Sequence, residues 1–270
     1  MISFSSFKVF LNLNFFLCTY SYIESKLLSN IDILFGICYT TFKNCLFIDV
    51  IDYKLANTDY IDYIDYNENR IIPEEKFKGE FVMYLFHTSV LEYLTCGIVQ
   101  LYLLNDNQNI IEDLILFIPY SFCFEVIFDL FHYISHRICH SKYIYKYIHK
   151  THHTHKYQKT ILTFYHNPLD FIITNTMPVI LSIYIMSEFI EKPSLFMFRL
   201  LSTYKTFIEI SGHSGKNANG SSFIQFFWLP KLLNIELHTI HHDLHHTMNN
   251  CNYSKRFSLW DKIFGTFYNG

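Results

Sequence analysis

Two long apolar runs constrain this chain before any other feature does. Residues 81–104 read FVMYLFHTSVLEYLTCGIVQLYLL, and residues 110–135 begin acidic, then stay apolar from Leu114 to Phe128. An α-helix needs roughly 20 residues to cross a bilayer. Hydrocarbon offers the backbone no hydrogen-bond partner, so runs of this length pair their own amides as helices. A second apolar pair follows at 171–190 and 194–211, joined by Glu191, Lys192 and Pro193; Pro178 predicts a kink in the first of them. The composition agrees, being 50% hydrophobic and 19% aromatic with eight glycines and six prolines in 270 residues.

The N-terminal part is weaker. Residues 7–19 (FKVFLNLNFFLCT) are apolar but short, which suits a signal anchor or an interfacial helix. The run 32–50 is broken by Lys43 and Asn44. Residues 51–80 are acidic and contain the near-repeat DYIDYIDY; we expect a solvated loop without chemistry. The organisation predicted is a membrane-anchoring region with an acidic loop over 1–80 and a membrane domain over 81–270.

Where the second apolar run turns polar, at Asp129, histidines begin. Fourteen of the fifteen lie between His132 and His246. Asp129, His132, His136 and His140 fall three or four apart and share one helix face. His149, His152 and His153 follow a short loop later, and His238, His241, His242, His245 and His246 stand in HTIHHDLHH. Imidazole is the commonest metal ligand, and i, i+3/i+4 spacing aims two rings at one ion. Eight to ten imidazoles, with His166 and His213 as further candidates, exceed what one ion takes, so two ions are implied. Ligation by nitrogen without thiolate fits iron, zinc or copper. Asp129, Asp170 and Asp243 are candidates for carboxylates that orient the rings.

The fold class expected is therefore all-α, a polytopic membrane helical bundle with a cytoplasmic histidine-rich di-metal cap. The cytoplasmic side follows from Arg137, Lys142, Lys146, Lys150, Lys156 and Lys159, which crowd the first two clusters. Net charge is -3, and no basic stripe runs along the chain, which argues against a nucleic-acid partner. The seven cysteines are scattered without a CxxC, which argues against a disulfide framework.

The runs HRICH, HKTHH and HHDLHH, followed by NYSKRFSLWDKIFGTF, resemble the fatty acid hydroxylase superfamily of membrane proteins. That group includes sterol desaturases, sterol methyl oxidases and sphingoid-base hydroxylases. The resemblance implies two iron ions that activate dioxygen, with zinc able to take their place in purified protein. It implies as ligands His136, His140, His149, His152, His153, His242, His245 and His246, with His241 and His213 as additions. It also implies a membrane lipid substrate, O2, a separate b-type haem cytochrome with its reductase drawing on NAD(P)H, and residence in the endoplasmic reticulum membrane. HHDLHH and KTFIEISGHSG are similar to both the sterol and the sphingoid branches. One departure is His166-Asn167-Pro168-Leu169-Asp170, where the family commonly has His-Pro followed by an acidic residue. Either the loop is shorter and His166 takes that role, or this ligand is missing.

Two alternatives to an oxygenase remain at this point. One is a family member that keeps metals without catalysis. The other is a divalent-metal transporter, whose polar ligands would sit near the bilayer midplane on helices lining a path. The clusters here lie at the ends of the spans instead.

Overall fold

The computed structural model describes residues 4–29, 32–56, 62–63, 74–106, 109–155, 158–217 and 222–270. Helices carry the architecture: α1 (Phe4–Leu27), α2 (Ile33–Ala56), α3 (Glu74–Tyr102), α4 (Ile110–Cys139), α5 (Pro168–Phe171), α6 (Met177–Phe189) and α7 (Leu195–Gly212), then the short α8 (Trp228–Leu232), α9 (Thr239–Met248) and α10 (Leu259–Ile263). Two-residue strands β1 (Asp62–Tyr63) and β2 (Lys216–Asn217) pair antiparallel, Asp62 opposite Asn217. Among the described residues, four segments are long and apolar enough to cross a membrane: Ile33–Leu55, Gly79–Tyr102, Ile110–Cys139 and Pro168–Phe189. Their outward faces carry Leu101, Ile111 and Ile115, each more than half exposed, as expected of side chains that meet lipid.

The centre of the bundle is α7, with fifteen of its eighteen residues buried. Around it α1, α2 and α4 pack directly, and Leu17, Phe47, Val99, Phe124, Ile183 and Leu200 close a shared core. Lipid is as apolar as leucine, so polar pairs do much of the joining between helices. Lys43 of α2 reaches Glu92 of α3 at 2.8 Å and Glu24 of α1 at 3.6 Å. From α7, Thr203 donates to Glu24 at 3.0 Å and Thr206 to Glu92 at 2.9 Å. Lys43 and Asn44, which interrupt the apolar run in sequence, are thus the pins that join α2 to its neighbours. Close approach completes the contact: a Cβ at Gly36 would lie 2.0 Å from the Tyr93 ring.

Two expectations are adjusted. The acidic stretch 51–80 is helical at both ends, since residues 51–56 close α2 and 74–80 open α3; residues 57–61 and 64–73 lie outside the described ones. Partners draw these ends into the fold. Asp52 accepts from Thr160 at 2.8 Å, and Glu80 from Tyr165 at 2.8 Å. The short run 7–19 is the middle of a 24-residue helix folded against α7. All seven cysteines are free.

Just before Pro178, where the sequence predicts a kink, the structure shows an irregular turn. Residues Ile172–Thr176 wind as a π-turn between α5 and α6. Proline has no N–H, so the carbonyl of Thr174, four residues back, loses its helical donor. That carbonyl instead accepts from His132 Nδ1 at 2.7 Å.

Candidate metal centre

The end of α4 delivers the first two rings. His136 and His140 stand one turn apart on the face that also carries His132, and α4 stops at Cys139. Consecutive turns then bring His149 back over the helix end, followed by the 3₁₀ turn His152–Thr154. Successive residues in a 3₁₀ turn diverge by about 120°, so adjacent His152 and His153 aim in different directions. The remaining rings come from α9 and from His213, directly after α7.

Nine imidazoles form two groups. The nitrogens of His136, His140, His149, His153 and His245 lie within 4.8 Å of one another, and so do those of His152, His213, His242 and His246. The groups abut, with the His153 and His246 rings 4.4 Å apart between centroids.

Backbone and carboxylate acceptors fix the tautomers. His136 Nδ1 donates to the Tyr253 carbonyl at 2.8 Å, His245 Nδ1 to that of Cys251 at 2.8 Å, and His213 Nδ1 to that of Glu209 at 2.8 Å. His149 Nδ1 donates to both oxygens of Asp170, at 2.8 and 2.9 Å. The proton on a neutral ring then sits on Nδ1, and Nε2 presents a lone pair. Yet His136 Nε2 and His149 Nε2 face each other at 3.0 Å. Two lone pairs at that distance repel unless a proton or a metal ion lies between them. The Nε2 atoms of His153 and His245 converge on the same spot, more than one proton can serve, so the donor set fits a metal. The Nε2 of His140, buried in the same group without a partner, points the same way.

Burial also keeps seven of these rings neutral. It holds His140 down to about 2, helped by neighbouring His245 and His149, and holds His213 and His245 down to about 3. His152, His153, His242 and His246 are lowered well below the usual range for the same reason. Closure of α9 contributes to this burial. Asn249 takes the left-handed conformation after Met248, which turns the chain so that Cys251 meets His245.

Three residues expected in the site stand outside the groups. His241 lies one turn N-terminal to His245, about 5.4 Å along the axis; its Nδ1 accepts from the His238 amide at 2.9 Å and its Nε2 meets Asn269 at 3.0 Å. It caps α9. His166 stacks on His152 with centroids 4.1 Å apart and meets Asp170 at 3.3 Å, so it backs the ligands. The hydrogen bonds of Asp129 among the described residues go to backbone amides and not to an imidazole. Asp129 accepts from those of Lys255, Arg256 and Phe257 at 2.6–3.0 Å and so holds the segment that carries Tyr253. Asp243 is buried on α9, and Asp170 orients His149. The carbonyls of Tyr253, Cys251 and Glu209 escaped the sequence reading because any residue can supply them. Only that of Thr174 left a trace, as the proline four places on.

Comparison with known proteins gives a consistent picture. A model of the fatty acid hydroxylase family matches residues 121–266. The fatty acid hydroxylase vlmA of a Lecanicillium species is 26% identical over 150 residues, which is 54% of this chain and 41% of that protein. Cholesterol 25-hydroxylase of Homo sapiens is 38% identical over 61 residues, 22% of this chain and 20% of that one. The chain thus spans less than half the length of either relative. No solved structure matches it significantly.

Proposed function

The chain belongs to the fatty acid hydroxylase family, and from that premise we propose that it is a membrane-bound di-iron oxygenase that hydroxylates or desaturates a lipid. The observation that carries this reading is the opposed pair of Nε2 lone pairs at 3.0 Å within two adjoining groups of buried imidazoles. Iron held there supplies the redox chemistry by which dioxygen oxidises an unactivated C–H bond.

This chain's own residues position and protect that chemistry. His136, His140, His149, His153 and His245 would hold one ion, and His152, His213, His242 and His246 the other. Asp170 keeps the His149 proton on Nδ1, and the Tyr253 and Cys251 carbonyls do the same for His136 and His245. Fixed rings need no reorganisation when charge develops beside them. Burial of the groups excludes bulk water from a reactive oxidant. Placement at the ends of the spans spares the imidazoles the cost of mid-bilayer burial and brings an apolar substrate to them from the lipid.

Electrons would come from NAD(P)H through a separate b-type haem cytochrome and its reductase. Hydroxylation and desaturation share the removal of a hydrogen atom, so both remain within the reading, for a sterol, sphingoid or fatty acyl lipid. We place the chain in the endoplasmic reticulum membrane with its histidines on the cytoplasmic side. The support for orientation is the basic group Arg137, Lys142, Lys146, Lys150, Lys156 and Lys159 around them.

Lipid profiling tests the proposal. Host membranes carrying the chain are expected to gain an oxidised lipid that is absent with His152→Ala. Identical profiles would overturn catalysis, and retained metal in that case would favour a family member that binds ions for structure alone. That second reading draws on His166, which backs His152 and joins neither group.

A further inference from the structure

A cavity of about 330 Å³ runs from the flank of α1 to the second histidine group. His213 and His242 of that group are part of its lining. Its walls are Val9 and Leu13 of α1, Ile51 and Leu55 of α2, and Phe207 and Ile208 of α7. Val9, 63% exposed, marks the mouth, while Ile51 and Phe207 are buried. Ser211, Ser214 and Thr239 also line it, as do Glu209 and its ion-pair partners Lys255 and Arg256. The exposed wall of the space is mostly apolar, and two histidines of the second group belong to it.

Its walls are pinned, not floppy. Asn14, next to Leu13, donates to the Ile224 carbonyl at 3.1 Å and accepts from Tyr204 at 2.8 Å. Lys216 donates to the carbonyl of Leu55 at 2.9 Å. A preformed apolar pocket with few convergent polar groups is the usual form of a small-molecule site. A cavity of ~150 Å³ holds benzene, so this one accommodates roughly a dozen carbon atoms.

Residues 121–266, which match the family, contain the whole ligand set. The walls on α1 and α2 lie outside them. We propose, resting on the oxygenase reading above, that this cavity holds the apolar chain of the substrate and that α1 and α2 set which chain fits. The chemistry of the site and its selectivity would then reside in different parts of the sequence. The occupant is an amphiphile with an apolar segment of roughly a dozen carbons whose oxidised carbon lies beside His213 and His242.

The test uses the full chain, loaded with metal and held in lipid nanodiscs, and a straight-chain fatty acid bearing a photoreactive diazirine. Crosslinks are expected on the peptides carrying Leu13, Ile51 or Leu55. Ile51→Trp and Leu13→Phe fill the cavity and should each cut that labelling about tenfold, the factor a clash of ordinary size imposes; Ile51→Val should not. Metal content equal to wild type confirms that each variant is folded. Labelling confined to the lipid-facing sides of α3 and α4, or unchanged by both filling variants, would overturn the assignment. In host membranes the filling variants should shift which lipids are oxidised. A wild type that labels at these peptides but yields no oxidised lipid would sink the oxygenase reading and leave the cavity assignment standing.

Discussion

Neighbouring histidines in this site have unequal duties, and single substitutions should expose the difference. His242 faces His213 at 3.0 Å in the second group, whereas His241 is spent on the N-terminus of α9. We expect His242→Ala to lose one of two bound metals per chain by elemental analysis. His241→Ala should keep both and cost about 1 kcal/mol, as the loss of a helix cap does. Equal metal loss in the two would contradict the assignment. Asp170→Asn tests the layer behind the ligands. It retains the shape but weakens the acceptor on His149 Nδ1, and metal affinity should fall by about 10–100-fold without a change in stoichiometry. Competitive titration with a chromophoric chelator reads that ratio directly.

At the level of elements, the polar pins decide whether α1 and α2 stay docked. Lys43 is 2% exposed and serves both Glu24 and Glu92. Lys43→Met leaves the buried Glu24 and the half-buried Glu92 without their cation, and we expect a loss of ~3–5 kcal/mol. Thermal unfolding in detergent should show it, and the further change Glu92→Gln should recover part of it. Much at this scale was legible beforehand. The histidine spacing on α4 and the length of the runs at 81–104 and 110–135 fix those helices, because period and length are local properties. The division of ligands between the groups was not legible. His152 and His153 part company in a 3₁₀ turn that no apolar period announces, and His241 is separated from His245 only by where α9 begins. A disturbance of the helix near Pro178 was readable, but not that His132 would take up the freed carbonyl of Thr174.

For the molecule as a whole, the two histidine groups join segments that are otherwise far apart in the chain: the end of α4, the turns after it, the end of α7, and α9. Ions that bind only the folded arrangement stabilise it by mass action, about 4 kcal/mol at a thousandfold excess over Kd. Stripping with a strong chelator should therefore lower the unfolding temperature of the purified chain, and two equivalents of iron(II) under anaerobic conditions should restore it. An unchanged transition would mean that the groups do not carry metal. The clamp of Asp129 on the Lys255–Phe257 amides carries a further consequence. It fixes Tyr253, whose carbonyl aims His136, so the first histidine of the groups is oriented by a segment made more than a hundred residues after it. Insertion of the spans must precede maturation of the centre. Newly made chains would then pass through a stage in which they are already anchored yet unable to close both histidine groups.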